Sequence, residues 1–285
     1  MCSEATPATL LACVRDTSSW RGSRRPWSRR PTRSRLPMPT GAREQIERII
    51  AARAFAPVFQ PVVMLGERRV VGYEALTRFA DGASPAGRFV AAAALGVGPA
   101  LEMACIEAAL EAATALPADA WISLNASPQL LVRGSGLQSA LRSSSRSVVL
   151  EVTEHVAIDD FEALLGALRA LGPRVRLAVD DAGAGYAGLR QILELHADIV
   201  KLDIGLVQGV DHDPARQALI AGLAHFAART GSQLLAEGIE TAGEAEAVAA
   251  LGVELGQGYF FGRPQPASRG RASAARAARP AACRS

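Results

Sequence analysis

Short apolar segments alternate with amphipathic segments between residues 43 and 251, and this alternation restricts the fold more than any other feature of the sequence. The apolar segments have the length and near-continuous hydrophobicity of strands buried on both faces. They are Val58–Met64, Val70–Leu76, Trp121–Asn125, Val148–Val152, Val175–Val179, Ile199–Leu202 and Gln233–Ala236. The amphipathic segments have the spacing of helices. They are Gly87–Leu95, Pro99–Leu116, Asp159–Leu171, Ala187–His196, Pro214–Thr230 and Ala242–Leu251, after a short leading helix indicated by Ile46, Ile49 and Ile50.

Repeated strand–helix units over about 225 residues predict an α/β fold, a TIM-like (β/α)8 barrel. The first two strands depart from this repeat, because only a short turn around residues 66–69 separates them. A gap of that length cannot hold a parallel crossover, so these two strands are predicted to pair antiparallel near the start of the barrel.

The formal net charge of +3 hides a strong asymmetry along the 285 residues. Residues 1–40 contain eight arginines against two acidic residues, and residues 267–285 contain five arginines and no acidic residue. Both segments are rich in Ser, Pro and Ala, so we expect disordered basic tails flanking a folded domain over 41–266. Basic tails suit attachment to nucleic acid or a membrane surface. Their lack of periodicity favours solvated extensions instead, or a true start at Met38.

The remaining composition narrows the class of protein. No apolar run approaches the roughly 20 residues that cross a bilayer, so no membrane span is expected. The four cysteines form no CxxC pair, which argues against a disulfide framework or a thiolate metal site. We therefore expect a cytoplasmic protein that does not recognise a specific nucleic-acid sequence.

Polar residues follow or end six of the predicted strands. They are Glu74, Asn125, Glu151 with Glu154, Asp180 with Asp181, Lys201 with Asp203, and Glu237 with Glu240. One such residue has a simple explanation as a helix cap or a solvent-facing strand end. In a barrel, however, the carboxyl ends of the strands converge on the face that carries the active site.

A converging set of carboxylates needs a cation, because like charges raise one another's pKa. The set offers oxygen ligands without an accompanying histidine, which favours Mg²⁺ or Mn²⁺ over zinc. A cluster of this size suits two ions and phosphoester hydrolysis. Lys201 is the only lysine in the chain, beside thirty arginines, and it lies inside an apolar run. These residues alone also leave open an enolising enzyme that uses Mg²⁺ or a Schiff-base aldolase.

Eight short motifs follow one another on the expected elements. They are Phe59-Gln60-Pro61, Glu74-Ala75-Leu76-Thr77-Arg78, Leu124-Asn125-Ala126-Ser127-Pro128, Glu151-Val152-Thr153-Glu154, Asp180-Asp181, Lys201-Leu202-Asp203, Ala236-Glu237-Gly238-Ile239-Glu240 and Gly256-Gln257-Gly258-Tyr259-Phe260. From about residue 45 to residue 265 their order resembles the EAL domain family, which hydrolyses the bacterial second messenger cyclic di-GMP. The resemblance implies a phosphodiesterase that uses Mg²⁺ or Mn²⁺, with two ions expected, and yields linear 5′-pGpG. Self-association as a homodimer is a further expectation.

By position, the resemblance implies a metal-binding set and a catalytic pair. Glu74, Asn125, Glu151 and Asp180 match the ligands of a first ion, and Asp181 matches a ligand of a second. Lys201 matches the lysine that orients the hydrolytic water, and Glu237 matches a general base or a ligand of the second ion.

Other positions match the surroundings of the substrate and a loop. The positions around the substrate are Gln60, Leu76, Arg78, Asp203 and Gln257. Glu154 matches the glutamate that anchors the loop after the aspartate pair. In that loop the sequence 182–188 reads Ala-Gly-Ala-Gly-Tyr-Ala-Gly where the family usually has Phe-Gly-Thr-Gly-Tyr-Ser-Ser. An active hydrolase is the leading hypothesis, because every charged position that the chemistry needs is filled. The missing hydroxyls are the only support for an alternative function, a catalytically slow or silent receptor for cyclic di-GMP.

Overall fold

A computed structural model describes residues 41–133, 135–152, 160–182 and 192–268, and at positions 133, 135, 181 and 182 it describes the backbone alone. Residues 1–40 and 269–285 lie outside this description, so the two tails and the domain bounds stay predictions.

Eight strands close into a barrel in chain order, which confirms the predicted fold class. Strand β1 pairs antiparallel with both β2 and β8, and the other neighbouring strands pair parallel. The strands are β1 (Phe55–Met64), β2 (Arg69–Phe79), β3 (Trp121–Asn125), β4 (Val148–Val152), β5 (Val175–Ala182), β6 (Ile199–Leu202), β7 (Gln233–Ala236) and β8 (Leu255–Gln257).

Helices surround this barrel wherever the chain is described. They are α1 (Ala42–Ala51), α2 (Pro85–Ala94), α3 (Gly98–Ala113), α4 (Pro128–Arg133), α5 (Ser135–Ser143), α6 (Phe161–Leu171), α7 (Ile204–Val207), α8 (Pro214–Thr230) and α9 (Ala242–Ala250). A single 3₁₀ turn spans Val210–His212, and residues 192–195 are also helical. None of these helices is long and apolar enough to cross a membrane.

Four of the seven predicted strands have the predicted bounds, namely β3, β4, β6 and β7. Strand β5 continues past Val179 to Ala182, so Asp180 lies inside the strand rather than after it. Strand β8 was not predicted, because three residues that include Gly256 are too short to show a period. Helices α4 and α5 were also missed, because α4 has only six residues and because Gly136 and several serines weaken the helical pattern of α5.

Alternate residues of each strand face the barrel interior, which sorts the side chains into layers. The lower interior is filled by an apolar cluster of Val62, Trp121, Val149, Ala178, Ile199, Leu235 and Leu255. Trp121 fits because Gly72 stands opposite it on β2, where a Cβ atom would lie 2.2 Å from the indole ring. The polar strand-end residues occupy the layer above this apolar floor.

Strands β1 and β2 extend beyond their neighbours on the same face as those polar residues. Their free ends carry Phe55 and Phe79, whose rings pack edge to face with centroids 6.2 Å apart. Helix α1 and helix α3 cover this pair with Ile46 and Leu101. This second apolar cluster supports the wall of the polar face on the side of β2.

Candidate functional site

Lys201 lies at the centre of a carboxylate cluster in the upper barrel. Its Nζ atom is 2.7 Å from Oε2 of Glu151 and 2.8 Å from Oε1 of Glu237. The same atom is 3.2 Å from Oδ1 of Asp180 and 3.9 Å from Oε1 of Glu74. The structure therefore brings together five of the residues that the sequence singled out, from five different strands or strand ends.

Strand alternation explains why this lysine points inward. Ile199 and Lys201 share a face of β6, so Lys201 stands directly above the apolar floor, whereas Leu202 packs in the outer core. The side chain of Lys201 is only 2% exposed. A buried ammonium is tolerated only when anionic partners surround it, and here four carboxylates do so.

The cluster carries more negative than positive charge, because one ammonium faces four carboxylates. Burial, together with the neighbouring carboxylates, raises the pKa of Glu151 and of Glu237 to about 7 and also raises the pKa of Glu74, although Lys201 opposes each shift. Burial would lower the pKa of Lys201, but the surrounding carboxylates outweigh it and raise that pKa well above its ordinary value. The site is thus a protonated lysine within an excess of enclosed carboxylate.

Ser123 belongs to this cluster although the sequence did not single it out. Its hydroxyl donates a hydrogen bond to Oε1 of Glu151, and the residue is 1% exposed. The signal was present in the strand alternation, because Ser123 lies two residues before Asn125 on the inner face of β3.

Two glutamines adjoin Glu74 on the opposite side from Lys201. Gln257 donates from Nε2 to Oε2 of Glu74 at 2.5 Å and to Oε1 of Gln60 at 3.1 Å. Gln60 in turn donates from Nε2 to the backbone oxygen of Gly262 at 3.1 Å. Two of the five predicted substrate positions, Gln60 and Gln257, are therefore hydrogen-bonded to the carboxylate cluster.

Of three further predicted residues, the structure describes the side chain of Asn125 alone. Asn125 ends β3 in register with Glu151, and its side chain is exposed. The backbone of Asp181 continues β5 beside Asp180, while its side chain lies outside the described part. Glu154 also lies outside the described residues.

The other predicted substrate positions lie on or beside the rim of the barrel. Glu74, Leu76 and Arg78 share one face of β2, with exposure increasing toward Arg78. Asp203 follows β6 and caps α7, where its Oδ1 accepts a hydrogen bond of 2.7 Å from the backbone nitrogen of Gly205.

Two acidic residues that sequence reasoning missed brace the loops of this face. Oε2 of Glu102 on α3 accepts a hydrogen bond of 2.9 Å from the backbone nitrogen of Ser127, just after Asn125. Glu244 on α9 accepts bonds from the backbone nitrogens of Gly209, Glu240 and Thr241. Of the two, only Glu244 could have been found from the sequence, through the Thr241–Glu244 capping box that begins α9.

The donor set fits divalent ions in its chemistry. Among the described side chains, no three His, Cys, Asp or Glu residues are arranged to hold a metal ion, and the carboxylates instead converge on Lys201. The enclosed excess of negative charge nevertheless favours a cation, and all the available ligands are hard oxygen atoms. Glu74, Glu151 and Asp180 would supply carboxylates, Asn125 ends the neighbouring strand β3, and Asp181 follows Asp180 in β5.

Comparisons with known proteins agree with this geometry. The sequence model of the EAL domain matches residues 43–264. The bifunctional diguanylate cyclase/cyclic di-GMP phosphodiesterase MucR of Pseudomonas aeruginosa is 34% identical over 147 residues, which cover 50% of this chain and 21% of MucR. The probable cyclic di-GMP phosphodiesterase PdeA of Escherichia coli is 32% identical over 124 residues, 43% of this chain and 17% of PdeA. The chain thus spans about a fifth of the length of these two relatives.

Solved structures show the same fold. The manganese and cyclic di-GMP complex of Klebsiella pneumoniae BlrP1 at pH 6 superposes with a TM-score of 0.68 at 30% identity, covering 76% of this chain and 57% of that chain. A standalone EAL protein of Vibrio cholerae, bound to cyclic di-GMP, superposes with a TM-score of 0.64 at 28% identity, covering 75% of this chain and 93% of that chain. From the family match over most of its length, together with the barrel and its strand-end cluster, the chain belongs to the EAL domain family.

Proposed function

We propose that this chain is a phosphodiesterase that uses divalent ions to hydrolyse cyclic di-GMP to linear 5′-pGpG. The observation that carries the proposal is the enclosed cluster of Glu74, Glu151, Asp180 and Glu237 around Lys201 at the carboxyl ends of the strands. Relatives named as cyclic di-GMP phosphodiesterases, and structural neighbours solved with manganese or calcium and cyclic di-GMP, support the substrate and the ions.

The metal-binding set in this proposal is Glu74, Asn125, Glu151, Asp180 and Asp181, with Mg²⁺ or Mn²⁺ as the ions and two as the expected number. When bound, such ions supply charge that stabilises the attacking and leaving oxygens of the phosphodiester. The floor of apolar side chains below the cluster excludes water from its lower side. This exclusion strengthens the electrostatic interactions of the site.

Lys201 and Glu237 are the proposed catalytic residues. Glu237 has the most exposed side chain of the four carboxylates, at 22%, so solvent water can reach it. We assign to it the acceptance of the proton of that water. We assign to Lys201 the orientation of that water, because its Nζ atom lies 2.8 Å from Oε1 of Glu237. Leu76, Arg78 and Asp203 lie at the rim, where a dinucleotide would enter, and Gln60 and Gln257 lie beside Glu74.

An aldolase that forms a Schiff base on Lys201 has no support from this arrangement. A Schiff base needs a neutral amine, whereas the four carboxylates keep Lys201 protonated. An enolising enzyme is also less well supported than a phosphodiesterase. The match to the EAL domain accounts for Gln60 and Gln257, for which an enolising enzyme gives no reason.

The test is an assay of purified protein with cyclic di-GMP and Mn²⁺, with products separated by chromatography. The proposal predicts conversion to 5′-pGpG that EDTA stops and that Glu237→Ala abolishes. Binding of cyclic di-GMP without turnover would instead establish the receptor alternative, whose only support is the alanine-substituted loop. The homodimer and the cytoplasmic location stay predictions, to be checked by sedimentation velocity and by cell fractionation.

A further inference from the structure

We propose that Gln257 and Gln60 are positioning residues for Glu74, which fix its carboxylate for metal binding, rather than residues whose main role is to contact the nucleotide. This inference rests on the proposed function, because it concerns how the metal-binding set is held in place.

The strand order brings the three residues together. Strand β1 lies between β2 and β8, and Gln60 is the register partner of Glu74 across the antiparallel β1–β2 pair. Gln257 ends β8 in register with Val62, two residues from Gln60 on the same face of β1. All three residues are buried, with exposures of 8% for Gln60, 8% for Glu74 and 4% for Gln257.

Hydrogen bonds connect the three side chains into one chain that ends on the carboxylate. The backbone oxygen of Gly262 accepts from Nε2 of Gln60, whose Oε1 accepts from Nε2 of Gln257. The same Nε2 of Gln257 donates to Oε2 of Glu74 at 2.5 Å. Gln60 thereby fixes Gln257, and Gln257 fixes Glu74.

Glu74 depends on the amide of Gln257 for its orientation, because the other three carboxylates lie closer to Lys201. Lys201 Nζ lies within 3.2 Å of Glu151, Glu237 and Asp180, but 3.9 Å from Glu74. Ser123 also donates to Glu151. For Glu74, the amide of Gln257 is therefore the nearest donor, and a neutral donor orients a carboxylate without adding a charge that competes with a metal ion.

The orientation of the Gln257 amide supports the same conclusion. Among the described residues, Gln257 Oε1 is the buried side-chain polar atom without a hydrogen-bond partner. Rotating the Gln257 amide by 180° would not give Oε1 a hydrogen-bond donor, because it would place this oxygen against the Glu74 carboxylate and Oε1 of Gln60. An unsatisfied buried acceptor is unfavourable, so this amide is held where Glu74 and Gln60 require it.

The experiment is a titration of Mn²⁺ without nucleotide, followed by electron paramagnetic resonance, on wild type, Gln257→Leu and Gln60→Leu. Removing the partner of a metal ligand typically weakens affinity about 10- to 100-fold. We expect a loss of this size for Gln257→Leu and a smaller loss for Gln60→Leu, which acts one bond further away. In Gln257→Leu, raised Mn²⁺ should restore much of the turnover, whereas a lost nucleotide contact would leave a raised KM at every Mn²⁺ concentration.

The matched control is Gln138→Leu on α5, which removes one 2.8 Å hydrogen bond to the backbone oxygen of Ala170 and no contact with the cluster. Its Mn²⁺ affinity should equal that of wild type. Unchanged Mn²⁺ affinity in both cluster variants, with weaker cyclic di-GMP binding, would overturn the inference while leaving the phosphodiesterase intact. If Gln257→Leu does not fold, Gln60→Leu decides. A wild-type protein that binds no Mn²⁺ would contradict the proposed function itself.

Discussion

Lys201 donates a 2.7 Å hydrogen bond from Nζ to Oε2 of Glu151, and both side chains are at least 97% buried. An enclosed ion pair of this kind contributes little net stability, because desolvation of the two charges offsets their attraction. It does fix the position of one charge relative to the other. In this barrel the pair places an ammonium at the point where three further carboxylates converge.

Lys201→Arg should lower turnover about 100- to 1,000-fold although it keeps the positive charge. The guanidinium is a planar fork, bulkier than the compact ammonium, so it cannot contact the same four carboxylates in an enclosed space. Steady-state hydrolysis of cyclic di-GMP measures the effect. Arg53→Lys is the matched control, because it exchanges the cation of an exposed pair with Glu111 and should leave turnover unchanged. Turnover close to wild type in Lys201→Arg would show that the lysine does not touch the reaction.

Glu237→Ala and Glu74→Ala should separate chemistry from binding. Glu237 is the more solvent-exposed of the two, and a base acts mainly in the transition state, so its loss should abolish turnover and spare nucleotide binding. Glu74 is a proposed metal ligand, so its loss should weaken Mn²⁺ binding and turnover together. Calorimetric titrations with Mn²⁺ and with cyclic di-GMP give the two affinities. Equal and modest losses in the two variants would mean that these roles are wrong.

Mn²⁺ should stabilise the fold, because it binds an enclosed excess of carboxylate that exists only in the native state. At a free concentration of 100 times Kd the gain is about 2.7 kcal/mol, measured as a rise in Tm that EDTA reverses. Glu74→Gln should lose most of this gain. If NaCl at the same ionic strength raised the Tm by the same amount, the effect would be due to charge screening and not to Mn²⁺ binding.

Glu244→Gln should destabilise the protein at neutral pH and progressively less in acid. Burial opposes the charge of Glu244, but its bonds from Gly209, Glu240 and Thr241 outweigh burial and lower its pKa. A lowered folded-state pKa stabilises above the unfolded-state value of about 4.3, and that stability is lost as pH falls through the folded-state pKa.

Urea unfolding of wild type and Glu244→Gln at several pH values measures the difference, roughly 1–3 kcal/mol at pH 7. The exposed Glu240→Gln is the control and should behave as wild type at each pH. A difference between wild type and Glu244→Gln that stays constant down to pH 3 would contradict the assignment of that stability to the ionised carboxylate.

The barrel and the strand-end carboxylates were predictable because both follow from short-range patterns. Near-continuous apolar strands such as Val148–Val152 predict a sheet buried on both faces, and parallel strands must place Glu151, Lys201 and Glu237 at one face. The antiparallel pairing of β1 with β2 was predictable because the loop between these two strands is too short for a parallel crossover. Strand β8 was missed because three residues carry no period.

Side-chain partners could not be predicted in the same way. The contact between Gln257 and Glu74 joins residues 183 positions apart, and it depends on barrel closure rather than on local spacing. Ser123 is an ordinary strand residue until β4 places Glu151 beside it. The distance of Lys201 from each carboxylate likewise depends on the stagger between strands, which a sequence pattern does not report.

The rate of 5′-pGpG formation at saturating cyclic di-GMP, measured against Mn²⁺ occupancy of the wild-type protein, tests the central claim most directly. If the strand-end cluster holds the ions that hydrolysis needs, the rate should rise in step with occupancy, fall to zero in EDTA, and return when Mn²⁺ is restored. Turnover that persists without a divalent ion would contradict the account, and so would full Mn²⁺ and nucleotide occupancy without any 5′-pGpG.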